Sequence, residues 1–255
     1  MEAGIFDSHA HYDNNRFDAD RGELLDSLPQ KGVARVLNAA SDLQSSLTGL
    51  ALCERYDYFY CAVGVHPHEA AEAPGDYLEQ LRELSAHPKV RAIGEIGLDY
   101  HYDFSPRDVQ RRFFEEQLLL AAELSLPVVV HDREAHGDTL ELLRKHRPRG
   151  VVHCFSGSAE MAREVAALGM YVGFTGAVTF QNARKPLEAA AAVPADRLLI
   201  ETDCPYMAPV PLRGRRCDSS MIPHTAQALA GVRGISPQEV IDLTAANARC
   251  LFSVE

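Results

Sequence analysis

Eight short apolar runs, each followed by a longer amphipathic stretch, constrain this chain more than any other feature. They fall at 4–9, 33–39, 59–65, 90–96, 127–131, 150–154, 171–175 and 197–202. Runs such as Pro127-Val128-Val129-Val130 and Leu198-Leu199-Ile200 are apolar at every position. Strands buried on both faces of a parallel sheet read this way, whereas strands with one wet face alternate. Helical patterns occupy 20–30, 41–55, 75–86, 136–146, 158–168, 183–193 and 222–231. Ser105-Pro106-Arg107-Asp108 predicts a further helix start, with Ser105 as cap and Pro106 at the first helical position. That helix places Val109, Phe113, Leu120 and Leu124 on one face. Ser236 and Glu239 have capping-box spacing and open a last helix that ends near Leu251. Eight strand–helix alternations predict an α/β fold, a (β/α)8 TIM barrel. The alternative is an open doubly wound sheet, but no Gly-x-Gly-x-x-Gly follows the first strand to mark its dinucleotide-binding form. At 255 residues the chain is close to the ~250 of one barrel. With no linker or fixed-period repeat, one domain over 1–255 is expected.

Bulk charge narrows the function classes. The formal net charge is -11, so the chain is not a general nucleic-acid binder, which needs clustered Lys and Arg to release counterions. A local basic patch or bound divalent cations remain compatible with phosphate binding. No apolar run reaches the ~18–20 residues that span a bilayer, and no signal peptide precedes the first strand. A cytoplasmic protein without membrane contact is expected, as a monomer or small homo-oligomer. The six cysteines lie far apart with no Cys-x-x-Cys, which predicts reduced thiols. Cys61 and Cys154 lie in apolar runs and are expected to pack.

Barrels of this kind carry their chemistry at the C-terminal ends of the strands. The polar residues of this chain fall there. His9 and His11 close the first run, and their two-residue spacing points both rings the same way on a strand. Glu95 closes the fourth, His131 the fifth and His153 the sixth, and the eighth runs into Glu201-Thr202-Asp203. Charged groups are seldom buried unless paired or bound to metal, so the repetition points to a metal centre. Four histidines and two carboxylates exceed one tetrahedral shell and suit two divalent ions bridged by a carboxylate. The mixed N/O set fits Zn, Mn or Mg. A single structural zinc fits less well, because such sites usually use Cys.

Several stretches then resemble one family in register. They are Asp7-Ser8-His9-Ala10-His11, Gly64-Val65-His66-Pro67-His68, Gly94 to Tyr100, Leu126 to Arg133, Val152-His153-Cys154-Phe155-Ser156-Gly157, Glu201 to Tyr206 and Asn247 to Phe252. The chain resembles the TatD-type metal-dependent DNases of the amidohydrolase-like superfamily, over almost its whole length. The resemblance implies that His9, His11, Glu95 and Asp203 hold one ion and that Glu95, His131 and His153 hold the other, with Glu95 as bridge. One loop departs from the pattern. Family members follow Arg-Gly-x-Arg with Asn-Glu-Pro, whereas Arg213-Gly214-Arg215-Arg216 is followed here by Cys217-Asp218-Ser219-Ser220.

The expected activity is metal-assisted phosphodiester hydrolysis, nucleotide by nucleotide from a single-stranded or frayed DNA end. Asp203, at a strand end beside an ion, is the expected base. Glu201 orients a ligand, holds a further ion or is a plain interior acid. His66 and His68 either meet a substrate phosphate or a third ion or form a His-Pro-His turn with no role, and the resemblance favours function for His66. Arg133 reaches phosphate or pairs with an acid such as Glu134. Arg213, Arg215 and Arg216 form the one dense basic run and either guide the nucleic acid or form a solvated loop. His87, His101, His136, His146 and His224 are assigned to surface or structure. A Ser156 or Cys154 nucleophile activated by His153 is disfavoured, since a ligand histidine is not a free base. Two alternatives stand: an amidohydrolase acting on a C–N, lactone or ester bond, and a non-catalytic metal-binding scaffold. Many amidohydrolases carry a carbamylated Lys where this chain has Glu95.

Overall fold

The computed structural model describes residues 4–254 and shows eight parallel strands in one sheet, ordered as in the chain. They are β1 (Ile5–Ala10), β2 (Val33–Ala39), β3 (Phe59–Val63), β4 (Val90–Asp99), β5 (Val128–Arg133), β6 (Gly150–Val152), β7 (Tyr171–Phe174) and β8 (Leu198–Ile200). The helices are α1 (Arg21–Ser27), α2 (Leu43–Arg55), α3 (Tyr77–Ser85), α4 (Arg107–Leu124), α5 (His136–His146), α6 (Ala159–Ala167), α7 (Arg184–Ala192), α8 (Ile222–Arg233) and α9 (Pro237–Phe252). The sheet closes just past β8. Asp203 N donates to His9 O at 2.9 Å, and His11 N donates to Cys204 O at 2.8 Å. The expected (β/α)8 barrel is therefore the fold.

Each strand sends one side chain into a layer inside the barrel: Phe6, Leu37, Ala62, Ala92, Val129, Val151, Tyr171 and Leu199. Mixing small and large residues lets that layer fill without voids. Helix α9 caps it with Ala245, Ala248, Leu251 and Phe252, and the Phe6 and Phe252 rings lie 6.0 Å apart. The opposite faces of the strands pack against the helix ring, which is why Val128, Val129 and Val130 are all fully buried.

Two boundaries differ from expectation in ways that shape the site. Strand β4 continues to Asp99 and carries that carboxylate to the mouth of the barrel. Helix α4 begins at Arg107, because Pro106 is extended (φ -55, ψ 140) and is itself the cap residue. Ser105 instead donates to His68 O and accepts from Ala71 N, tying the β3–α3 loop to the start of α4. The capping box of Ser236 and Glu239 is formed as the spacing predicts. No described helix is long and apolar enough to cross a membrane, and all six cysteines are free thiols.

Candidate metal centre

Strict strand alternation would not build this site. Phe6 faces the barrel interior, so Ser8 should follow it and His9 should face the helices. The pairing of β1 with β2 slips between Asp7 and Ala10, and His9 is turned inward with His11. The β4–β5 pairing slips in the same way between Ile93 and Ile96, which brings Glu95 to the inner side after Ala92. Gly97 keeps β4 against β5 there. A Cβ on it would lie 2.0 Å from His131 O, and its φ of +143 suits glycine.

The six candidate ligands converge. Glu95 Oε2 lies 3.3 Å from His9 Nε2 and 3.5 Å from His11 Nε2. Its other oxygen, Oε1, lies 2.7 Å from His153 Nε2 and 2.8 Å from His131 Nδ1. Asp203 Oδ1 completes the first group at 3.3 Å from His11 Nε2. The His9 and His153 rings stack with centroids 3.8 Å apart, so the two groups adjoin. Donor atoms of His9, His11 and Asp203 all lie within 4.8 Å of one another, as do those of His9, Glu95 and His153, and of His66, Glu95 and His131.

These residues fit a metal. His11 Nδ1 lies 2.8 Å from Ala39 O, an arrangement in which the ring donates to the carbonyl and turns Nε2 to the cluster. Metal-ligating histidines are commonly oriented through their second nitrogen in this way. His153 Nδ1 faces the Glu201 carboxylate at 3.6 Å, while His9 Nδ1 is buried with no hydrogen-bond partner. Burial would raise the Glu95 carboxyl, but the imidazoles of His153, His66 and His9 outweigh it and hold Glu95 well below the usual carboxylate range. Burial likewise works against an ionised Asp203, yet the hydrogen bond with His11 draws its pKa down. Both acids are therefore anions, as divalent-ion ligands must be.

Further residues support the cluster. Asp99 is fully buried, and its Oδ2 lies 3.1 Å from His131 Nε2 and 2.9 Å from His68 Nε2. Sequence reasoning missed it. The available signal was its in-phase spacing with Glu95, four residues along one extended strand. His66 stands 3.4 Å from Glu95 Oε1, and burial pushes its pKa down to about 4. Glu201 is fully buried and accepts from Cys154 N at 2.5 Å; its Oε1 also lies 3.6 Å from His153 Nδ1.

A cavity of about 950 Å³ opens over the cluster. Arg133 lines it, with its guanidinium 4.9 Å from the centre of the Tyr102 ring. Glu134 pairs with His101 at 2.8 Å and leaves the arginine to that ring. The other arginines lie elsewhere. Arg213 packs on Phe180 at 4.1 Å, and Arg216 grips Asp20 with two 2.6 Å bonds. Arg213, Arg215 and Arg216 are absent from the cavity wall. His136, assigned to surface or structure from the sequence, does line the cavity and holds Asp132 at 2.7 Å. Cys154 lines it too instead of simply packing; burial pushes its thiol up to about 12, which leaves it un-ionised.

The atypical 217–220 loop turns inward. Cys217 and Ser219 are buried. The Ser219 hydroxyl donates to Asp7 Oδ2 at 2.6 Å and lies 2.8 Å from Tyr12 OH. Asp7 also accepts from Thr202 N (3.0 Å), Thr202 Oγ1 (2.6 Å) and His9 N (3.3 Å). This buried carboxyl thus joins the end of β1 to the residue before Asp203.

A family model described as TatD related DNase matches residues 6–253. The chain belongs to that family. A metal-dependent hydrolase of Bacillus subtilis, YabD, is 40% identical over 253 residues, covering 98% of this chain and 99% of the relative. A protein of Cronobacter sakazakii named 3'-5' ssDNA/RNA exonuclease TatD is 39% identical, covering 97% of each. The crystal structure of YJJV, a TatD homolog from Escherichia coli, superposes with a TM-score of 0.93 at 32% identity and full coverage of both chains. The hydrolase class and the resemblance read from the sequence are both borne out.

Proposed function

We propose that this TatD-family hydrolase is an exonuclease that removes nucleotides from single-stranded or frayed DNA ends, using two divalent ions bridged by Glu95. The observation that carries this is the division of Glu95: one oxygen faces His9 and His11, the other His131 and His153. His9, His11, Glu95 and Asp203 would hold one ion, and Glu95, His131 and His153 the other, with Zn, Mn and Mg the candidate metals. Bound there, the ions supply Lewis acidity that activates water near neutral pH and polarises a phosphoryl oxygen.

The protein's own groups divide the remaining work. Of the two acids in the cluster, Asp203 is 14% exposed and Glu95 only 4%. Both line the cavity, and Asp203 is the more open to it, so it takes the proton of the attacking water. Asp99 orients His131 and His68. Arg133 stands on the wall to pair with a phosphate, and His66 lies close enough to Glu95 to touch either substrate or ion. Arg213 and Arg215 are left to long-range steering from outside the cavity. Attack from a 3′ end is the direction in the name of the Cronobacter relative. Six free thiols fit a reducing, cytoplasmic setting.

The test is an end-labelled single-stranded oligonucleotide incubated with metal-loaded protein, with and without chelator, beside RNA, amide and lactone substrates. Stepwise shortening that stops with chelator is expected. Turnover of the amide or lactone without any cleavage of the oligonucleotide overturns the reading in favour of an amidohydrolase.

A further inference from the structure

Among the described residues, three aromatic side chains are strongly exposed: Tyr102, Phe104 and Tyr206. All three line the cavity over the metal cluster. Exposed rings forgo the stabilisation of burial, so their gathering around one opening marks a surface that meets a ligand. Tyr102 and Phe104 follow β4, and Tyr206 lies beyond β8, three residues after Asp203. In an eight-stranded barrel with strands in chain order, β4 and β8 are diametrically opposed. The rings therefore flank the cluster from two sides.

Each side pairs a ring with a cation. Tyr102 and Phe104 stack with centroids 5.3 Å apart and planes 22° from parallel. Arg133 lies over Tyr102, and Phe104 packs edge-on against His68 at 4.8 Å. His68 in turn meets Asp99, which meets His131, so the platform is tied to the candidate ligands. Across the opening, the Arg16 guanidinium lies 5.6 Å from the Tyr206 ring centre, and Asn14 Nδ2 donates to Tyr206 OH at 3.4 Å. Phe104 remains 67% exposed, with ring surface free.

We infer that Phe104 with Tyr102 on one rim, and Tyr206 on the other, are stacking platforms for unpaired nucleobases on either side of the scissile phosphate. Arg133 and Arg16 then face the adjoining backbone. The inference rests on the exonuclease reading above and adds what selects the substrate. A paired base has its faces covered by its neighbours in the duplex, whereas an unpaired base offers a face to a ring. Stacking of this kind tolerates any sequence, since every base has a π-face.

Two oligodeoxynucleotides of equal length and charge test it, one with normal bases and one whose terminal nucleotides are replaced by a tetrahydrofuran abasic analogue. The expected kcat/KM ratio favours the base-bearing strand by about tenfold or more. Phe104→Ala and Tyr206→Ala should each move that ratio toward one, and Phe104→Trp should retain it. Equal cleavage of both strands by the unaltered protein, or an unchanged ratio in both alanine variants, overturns the platform. Quenching of 2-aminopurine at the terminal position reads stacking without cleavage. Quenching that survives in the Phe104→Ala/Tyr206→Ala double variant, or is absent from the unaltered protein, also overturns it. Quenching that is lost in the double variant, with no strand ever cut, supports the platform and defeats the exonuclease reading instead.

Discussion

The Ser219 hydroxyl donates to Asp7 Oδ2 across 2.6 Å, two residues before the candidate ligand His9. Ser219 stands where the family pattern carries proline, a residue with no hydroxyl to offer. Removing one partner from a buried carboxyl costs about 1–3 kcal/mol. Ser219→Ala should therefore lower the melting temperature, by ~2–4 °C per kcal/mol for a chain of this size. Thermal melts of the metal-loaded protein check it, and an unchanged Tm means that the hydroxyl contributes nothing.

Asp203→Asn should keep the shape of the site and remove the proton acceptor. A loss of about 10²–10⁴ in kcat is expected for a general base, with KM for the oligonucleotide little changed. Steady-state kinetics with metal content measured in parallel decides it. Full activity with full metal occupancy would remove Asp203 from the role.

Asp99 touches both His131 and His68 but lies outside the proposed ligand set. Its loss acts through ring orientation, and outer partners of this kind are worth roughly 10–100-fold in metal affinity or activity. Asp99→Asn should weaken binding in competition with a chromogenic chelator, and excess metal should restore part of the activity. Unaltered affinity and activity would separate Asp99 from the metal centre.

The pH response of the ion-free protein follows from His11. Burial lowers its pKa, but the hydrogen bond to Asp203 and the charge of Glu95 more than offset this and hold it at about 9, above the ordinary imidazole value of 6.5. A raised folded-state pKa contributes stability that is fully present below 6.5 and is lost as pH rises toward 9. Metal binding must expel this proton, so affinity should rise over the same window. Calorimetry in buffers of different ionisation enthalpy should show proton release at pH 7. Melts with chelator should show stability falling from pH 6.5 to 9. A pH-independent metal affinity contradicts both.

The fold was legible because buried parallel strands demand unbroken apolar runs, and eight such runs admit few topologies. The candidate ligands were legible because this architecture puts chemistry at strand ends, where His9, His131 and His153 interrupt apolar sequence. Asp99 was not, because β4 runs three residues past the apolar segment that announced it. The helix start at Ser105 was misread for a related reason. Its hydroxyl serves a loop distant in sequence, and no local pattern records such a bond.

Sequence by itself determined the strand count, the closing capping box and the residue types available at the barrel mouth, since these depend on local period and propensity. Only the tertiary structure decided which way those residues face. Register slips after Asp7 and Ile93 turn His9 and Glu95 inward, against simple alternation. Tertiary packing also withdrew Arg216 into an ion pair with Asp20 and drew the 217–220 loop beneath the site. Strand register and long-range pairing arise from contacts among segments far apart in the chain, as between Asp7 and Ser219, 212 residues apart. A window of neighbouring residues carries no trace of them.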